Sequence, residues 1–224
     1  MLVIIRICIA AVLACLTCAP GIAAPSDVGI VLLHGLDGQP LGSSGTEGGG
    51  LVGGLRKAGY RVSTPEMCWS NRRIYDHTFT DCFADIDAAI ARLRAQGATQ
   101  IVLGGMSMGG NSALAYATTH PDLLAARRGG PAFTVRTSAR NYVSFVDPAG
   151  PANIAGDLPH INVPVIWVAG TDDPTQVFSA QDFQQIPANP LSKYVSVKSG
   201  HLGTPDAGAS AMIDWVRSLA AAKS

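Results

Sequence analysis

The feature that most constrains the fold is the segment 101–110, which reads IVLGGMSMGG. Its apolar start predicts a buried strand, and the residues that follow it, 111–119, predict a helix. A serine set between glycines at a strand-to-helix junction is typical of a sharp elbow, in which the positions two before and two after the serine must be small. Gly105 and Gly109 occupy these positions around Ser107. The alternative is a glycine-rich turn that contains an incidental serine.

A serine hydroxyl is a weak nucleophile unless a base activates it, and the base in turn needs an acid to orient it. Asp173 follows a strand predicted at 163–169, and His201 follows a strand predicted at 193–197. Ligands of open parallel sheets bind at the carboxyl ends of the strands. The chain order Ser107, Asp173, His201 therefore predicts a nucleophile, an acid and a base at one edge of a sheet.

This arrangement resembles the α/β-hydrolase superfamily over most of the chain. The resemblance implies an α/β fold with a mostly parallel sheet and helices on both faces. We expect a reduced sheet of about five or six strands, because the segment before Gly29 has no room for the family's first two strands. The resemblance also favours Asp173 over Asp172 as the acid, since a Gly-x-x-Asp-Pro pattern is common at that position.

The resemblance extends to the loop HGL at 34–36, which is similar to the family's oxyanion loop. It implies that the backbone N–H groups of Leu36 and Met108 hold the developing oxyanion. Trp69 is a tentative wall of the acyl pocket, with plain packing as the alternative. His34 is expected to be structural. The remaining histidines are expected to be solvated: His77, His120 and His160.

The segment between the helix after Ser107 and the acid strand departs from the family pattern. Residues 123–130 read LLAARRGG and do not predict a buried strand, because two arginines interrupt them. The strand-like runs there are 133–135 and 142–146, and the second run alternatively belongs to a small helical cap. A missing strand would leave the strand of Ser107 beside the acid strand or leave a gap, and either outcome would displace Asp173 from His201. This motivates a second hypothesis, a binding protein of the same fold that has lost catalysis.

Residues 1–23 have the three parts of a secretory signal peptide: a short basic start, an apolar run and a final small-x-small site. We expect cleavage after Ala23, one domain at 24–224 and a secreted or periplasmic location. The apolar run is too short to favour a spanning helix, so no stable membrane span is expected after cleavage. The alternatives are an uncleaved anchor, lipid attachment at Cys15 or Cys18, and a buried first helix.

After signal removal two cysteines remain, Cys68 and Cys82, an even pair in an oxidising compartment. They predict either a disulfide or two unpaired, partly buried thiols. A bridge over so short a loop stabilises by roughly 3 kcal/mol in the chain-entropy model.

Charge and spacing narrow the function classes. The net charge is zero and there is no basic block, so nucleic-acid binding is not expected. We expect no metal, because ligand spacings such as Cys-x-x-Cys are missing from residues 24–224, and no cofactor. The glycines around Ser107 lack the spacing of a dinucleotide fingerprint. The expected partner is a small-molecule acyl substrate, and the sequence fixes neither its identity nor the oligomeric state.

Overall fold

The structure, a computed structural model, describes residues 24–43, 48–119, 124–127, 138–147 and 149–222. Three-residue 3₁₀ turns lie at Pro25–Asp27, Leu158–His160 and Pro174–Gln176. The strands and α-helices of the described residues are, in chain order, β1 Val28–Leu33, α1 Gly49–Lys57, β2 Arg61–Ser63, α2 Phe83–Ala95, β3 Gln100–Gly105, α3 Met108–Thr119, β4 Leu124–Arg127, α4 Ala139–Val146, α5 Ile154–Asp157, β5 Val165–Gly170, α6 Ser179–Phe183, β6 Lys193–Val197, α7 Thr204–Ala207 and α8 Ala209–Ala222.

The six strands form one sheet in the order β2-β1-β3-β4-β5-β6, and every neighbouring pair is parallel. Parallel neighbours need a crossover on one face of the sheet, which is why helices alternate with strands along the chain. All six residues of β1 are buried, as expected of an apolar strand covered on both faces. The prediction of an α/β fold with a parallel sheet of five or six strands is confirmed.

Helices bury the two faces of the sheet in two separate apolar cores. On one face α1 and α8 pack on alternate residues of β1, with Leu51 and Trp215 against Ile30. On the other face the remaining residues of β1 meet α2 and α3, with Ile86 and Tyr116 in the same cluster as its last residue. Burial of each such large side chain contributes about 1.5–3 kcal/mol. Both sides of the central strands are therefore held rigidly.

A strand forms where the sequence did not predict one. β4 pairs with β3 through Val102 and Leu124, and with β5 through Arg127 and Trp167. The expectation that 123–130 forms no strand was wrong, because the four residues of β4 suffice to join the two neighbours and Arg127 is the last of them. The strand β4 therefore fills the place between the strand of Ser107 and the acid strand.

The two other strand-like runs have different outcomes. Residues 142–146 lie in the helix α4, so the helical alternative is the one observed. The run 133–135 lies outside the described residues, as does the predicted signal peptide at 1–23. Within the part of the chain that the structure describes, no helix is both long and apolar enough to cross a membrane.

Candidate active site

Ser107 lies in a strained backbone conformation at the junction of β3 and α3. Its φ is 55°, in the left-handed region, which costs a side-chain-bearing residue about 1–2 kcal/mol. The neighbouring backbone fixes this conformation: the Met106 N–H donates to the Leu33 carbonyl at 3.0 Å, and the Gly110 N–H donates to the Ser107 carbonyl at 2.9 Å. Ser107 is only 6% exposed. Backbone strain of this kind persists where the surrounding structure holds the residue in its strained conformation.

The glycines on either side of Ser107 allow the chain to fold back on itself. A side chain at Gly105 would collide with the backbone of Gly109, and a side chain at Gly109 would collide with the Leu33 carbonyl. Gly35 approaches the serine from the loop after β1, because a Cβ atom added there would lie 3.1 Å from the Cβ of Ser107. The loop after β1 and the elbow are therefore in direct contact.

Two backbone donors are available beside the elbow. The N–H groups of Leu36 and Met108 have no hydrogen-bond acceptor among the residues that the structure describes. Leu36 is in the loop that touches Ser107, and Met108 is the first residue of the 12-residue helix α3. A helix N-terminus carries a partial positive charge, which favours an anion there.

The predicted acid and base meet in the structure. The Nδ1 atom of His201 lies 2.7 Å from Oδ2 of Asp173, whose side chain is 0% exposed, whereas the imidazole is 14% exposed. A neutral imidazole that donates from Nδ1 has its lone pair on Nε2, which is the form of a general base. Asp172 is exposed and accepts only from the Thr171 hydroxyl, at 3.2 Å. The geometry thus distinguishes Asp173 from its neighbour.

Thr175 is a site residue that the sequence reasoning missed. Its N–H and its hydroxyl both donate to Oδ1 of Asp173, at 3.0 and 2.7 Å, which leaves Oδ2 for His201. Burial alone would raise the pKa of Asp173, but the hydrogen bonds from Thr175 and His201 outweigh it and hold that pKa below its usual value. A threonine two residues after an aspartate is a known turn pattern, and it was the signal available in the sequence.

The loops that carry the acid and the base are joined to each other. The Thr171 N–H donates to the Val197 carbonyl at 2.8 Å, and the Asp172 N–H donates to the Ser199 carbonyl at 3.1 Å. A side chain at Gly170 would collide with the same Ser199 carbonyl. This close contact sets the spacing of Asp173 and His201 independently of either side chain.

An apolar cavity lies beside the elbow. Gly105 and Met106 line it from the elbow, and Thr204 lines it from the start of α7. Thr204 in turn donates from its hydroxyl to the Gly200 carbonyl, next to the histidine, at 2.9 Å. The cavity has a volume of about 40 Å³. Within the described residues no hydrogen bond joins Ser107 to His201, so the serine stands apart from the Asp173–His201 pair.

Known proteins share this architecture. A family model described as alpha/beta hydrolase fold matches residues 30–126. One of the metagenome-derived lipolytic enzymes LipS and LipT is 18% identical, with 88% of this chain and 94% of that chain covered and a TM-score of 0.65. Est1E from Butyrivibrio proteoclasticus, solved with ferulic acid, is 17% identical, with coverage of 87% and 88% and a TM-score of 0.66. The chain is an α/β-hydrolase in fold.

A third solved structure agrees with the α/β-hydrolase fold. The monoacylglycerol lipase of Paleococcus ferrophilus is 18% identical, covers 88% of this chain and 95% of its own, and has a TM-score of 0.58. No curated protein matches the sequence. At these identities the similarity establishes the fold, and the chemistry has to be argued from the site.

In this α/β-hydrolase fold Trp69 is a core residue. Its side chain is 0% exposed, packs against Phe145 with ring centroids 6.1 Å apart, and is not among the residues that line the cavity. The tentative pocket-wall assignment is therefore replaced by the packing alternative. The adjacent Cys68 forms a disulfide with Cys82, with Cα atoms 5.6 Å apart.

His34 has the structural role expected of it. Its Nε2 accepts from the Met67 N–H at 3.0 Å, so the ring proton is on Nδ1, which donates to the Gly35 carbonyl at 2.8 Å. His77 and His160 are exposed, and His120 lies outside the described residues. No group of three metal-binding side chains is found in the part of the chain that is described.

Proposed function

We propose that this protein is a serine hydrolase that cleaves a carboxylic ester, or a related acyl bond, with Ser107, Asp173 and His201 as its triad. The observation that carries the proposal is the buried Asp173–His201 pair. It stands at the same edge of the sheet as a strained serine, since β3, β5 and β6 are parallel. A strained serine and an oriented imidazole have no evident use in packing.

The reaction follows from these groups. The Ser107 hydroxyl attacks the acyl carbon while Nε2 of His201 takes its proton, and a tetrahedral oxyanion forms. The free N–H groups of Leu36 and Met108 donate to that oxyanion. The imidazolium then gives its proton to the leaving alkoxide, and an acyl-enzyme remains. Water, deprotonated by the same histidine, attacks the acyl-enzyme and releases the acid and the serine.

Asp173 keeps its charge throughout this cycle. It holds the imidazole in the tautomer that leaves Nε2 free, and it stabilises the imidazolium once that has formed. The lowered pKa of the Asp173 carboxyl favours this role, since the group is ionised at neutral pH.

The step that remains is the approach of His201 to Ser107. Hydrogen bonds of catalytic groups are often loose without substrate and tighten in the substrate complex. His201 is the more exposed member of its pair, at 14%, and stands three residues before Thr204, which lines the same cavity as Met106 of the elbow. A movement of the imidazole towards the Ser107 hydroxyl is the adjustment that the proposal requires.

Solved structures of this fold support ester chemistry, because they include proteins described as lipolytic enzymes and as a monoacylglycerol lipase. The competing hypothesis, a binding protein without catalysis, was motivated by a gap in the sheet before the acid strand. The strand β4 fills that gap, so the observation that motivated the binding-protein hypothesis no longer holds. We further propose a secreted or periplasmic location, which rests on the signal-like segment 1–23 and is consistent with the Cys68–Cys82 disulfide.

The test is hydrolysis of short p-nitrophenyl esters by the purified full chain. We expect turnover by the wild type and a loss of at least about 10³-fold in kcat for Ser107→Ala and for His201→Ala. His77→Ala changes an exposed histidine on another loop and serves as the matched control, with unchanged kcat. Turnover that survives both triad substitutions contradicts the proposal.

A further inference from the structure

Trp69 touches the loop after β1 on both sides of Leu36. Its indole Nε1–H donates to the His34 carbonyl at 3.0 Å, and its own carbonyl accepts from the Asp37 N–H at 3.1 Å. Its ring also meets the His34 imidazole edge-on, with centroids 6.0 Å apart. One buried residue therefore anchors the loop at two points along the chain.

These two anchors flank one peptide unit. The His34 carbonyl belongs to the peptide that joins residues 34 and 35, and the Asp37 N–H belongs to the peptide that joins residues 36 and 37. The peptide between them carries the Leu36 N–H at one end and the Gly35 carbonyl at the other. With both neighbouring peptides held, this peptide can turn only by itself, about the two bonds that join it to the Cα atoms of Gly35 and Leu36.

The carbonyl end of that same peptide is also fixed. The Gly35 carbonyl accepts from Nδ1 of His34 at 2.8 Å and from the Gly38 N–H at 3.1 Å. Because the N–H and C=O of a trans peptide point in opposite directions, these bonds turn the Leu36 N–H away from His34. The direction of the Leu36 N–H is therefore set by the groups that hold this peptide.

The backbone at Asp37 needs such support. Its φ is 51°, in the left-handed region that a residue with a side chain disfavours. The carbonyl of Trp69 is the acceptor that satisfies the Asp37 N–H in this conformation. Without that acceptor the chain is free to return to an ordinary φ, which would rotate the adjoining Leu36 backbone.

The backbone on either side of Trp69 is also held in place. It follows Cys68, which is bonded to Cys82 and whose N–H donates to the Asp85 carboxylate at 3.1 Å. The Asn71 N–H, two residues further on, donates to the Gly38 carbonyl at 3.1 Å. The segment that contacts the loop is therefore a fixed support rather than a passive neighbour.

We propose that Trp69 is a positioning residue of the oxyanion hole, which sets the direction of the Leu36 N–H through the His34 carbonyl and the Asp37 N–H. The inference rests on the proposed function. Trp69 contacts no reacting atom, so its effect passes through the loop. It acts on the oxyanion, which exists only in the transition state and the tetrahedral intermediate, and therefore on kcat rather than on KM.

The experiment compares Trp69→Phe with Trp215→Phe in the full chain. Both changes remove a buried indole N–H that donates to a backbone carbonyl, since Trp215 donates to the Leu191 carbonyl at 2.7 Å on the α8 side of the sheet. Turnover of a p-nitrophenyl ester is normalised to the sites titrated by a fluorophosphonate, so that misfolded protein does not count. Binding of a boronic acid, which forms a tetrahedral adduct on the serine, is measured alongside.

We expect Trp69→Phe to lower kcat by about 10- to 100-fold, with KM changed by less than about two-fold, because a misplacement of the order of 1 Å has that effect. Boronic acid affinity falls in parallel. Trp215→Phe stays within about two-fold of the wild type in both measurements. Replacement of either tryptophan by 3-benzothienylalanine, which keeps the ring volume and lacks the N–H, reproduces the difference if Phe at position 69 prevents folding.

A normalised kcat that is unchanged at position 69, or that falls equally at both positions, overturns the inference. The proposed function survives that result as long as Ser107→Ala abolishes turnover. If the wild type hydrolyses no ester and binds no boronic acid, both fall together.

Discussion

The Nδ1 atom of His201 lies 2.7 Å from Oδ2 of a fully buried Asp173 carboxylate. The other carboxylate oxygen accepts two hydrogen bonds from Thr175. Each oxygen of the acid therefore has its own partner, and the imidazole meets only one of them. Because His201 and Thr175 donate to different oxygens, the orientation of the imidazole is fixed. The two sides of the carboxylate can also be tested separately.

Asp173→Asn tests the side that faces the histidine. An amide can donate to Nδ1, which favours the tautomer with the proton on Nε2 and disables the base. We expect kcat to fall by roughly 10³- to 10⁴-fold with little change in KM, by analogy with serine proteases that lose this acid. Asp172→Asn is the matched control and is expected to retain near-wild-type kcat, because its side chain is exposed. The reverse ranking would assign the acid to Asp172.

Thr175→Val tests the opposite side. In the folded protein the pKa of Asp173 is lowered, so its ionised form adds stability above the ordinary carboxyl pKa of about 4, and this stability is lost as the pH falls through the lowered pKa. Loss of the Thr175 hydroxyl raises that pKa and weakens a charge-assisted hydrogen bond. We expect the free energy of unfolding at pH 7 to fall by about 1–3 kcal/mol. The loss of this stability in acid should also be smaller and complete at a higher pH, because the native pKa then lies closer to the unfolded one.

Urea denaturation at a series of pH values between 7 and 3 measures both effects. Thr171→Val is the control, because its hydroxyl contacts only the exposed Asp172. Equal pH profiles for the two threonine variants would show that Thr175 does not support the acid.

Two glycine-to-alanine substitutions show whether the elbow requires a residue without a side chain, as distinct from the general effect of alanine on a helix. Gly105→Ala places a methyl group against the Gly109 backbone, which cannot move without disturbing α3. We expect it to destabilise the protein by about 1–3 kcal/mol or more. Gly53→Ala, in the exposed face of α1 with open space around it, should stabilise by about 0.5–1 kcal/mol. Thermal unfolding shows whether each variant is more or less stable than the wild type. A Gly105→Ala protein as stable as the wild type would argue against the elbow.

Much of this arrangement follows from local pattern. The apolar strand before Ser107, its glycines and the following helix predict the elbow, because each has a short-range cause. Asp173 and His201 were predicted from their places after strands. β4 was missed because a four-residue strand between two neighbours is specified by the strands it joins and not by its own sequence. For Trp69 the sequence left a pocket wall and plain packing both open, because burial and the partner of an indole N–H are tertiary facts.

The disulfide has a consequence for stability that is separate from catalysis. Cys68 and Cys82 are 14 residues apart, and release of a loop of that size costs about 3 kcal/mol in the chain-entropy model. We expect reduction of the wild type to lower the free energy of unfolding by about that amount. The double variant Cys68→Ser/Cys82→Ser should start at the lower stability and show no further loss with reductant. A wild type that is indifferent to reductant contradicts the bridge.

The central claim is that Ser107 is the nucleophile, and the most direct measurement is the site at which a fluorophosphonate labels the protein, read by mass spectrometry of its peptides. We predict one phosphonyl group per chain, on the peptide that contains Ser107. Labelling should disappear in Ser107→Ala, become much slower in His201→Ala and persist in Ser112→Ala, which changes a buried serine in the helix α3 that follows the elbow. A label on another residue, or one that persists in Ser107→Ala, would contradict the account.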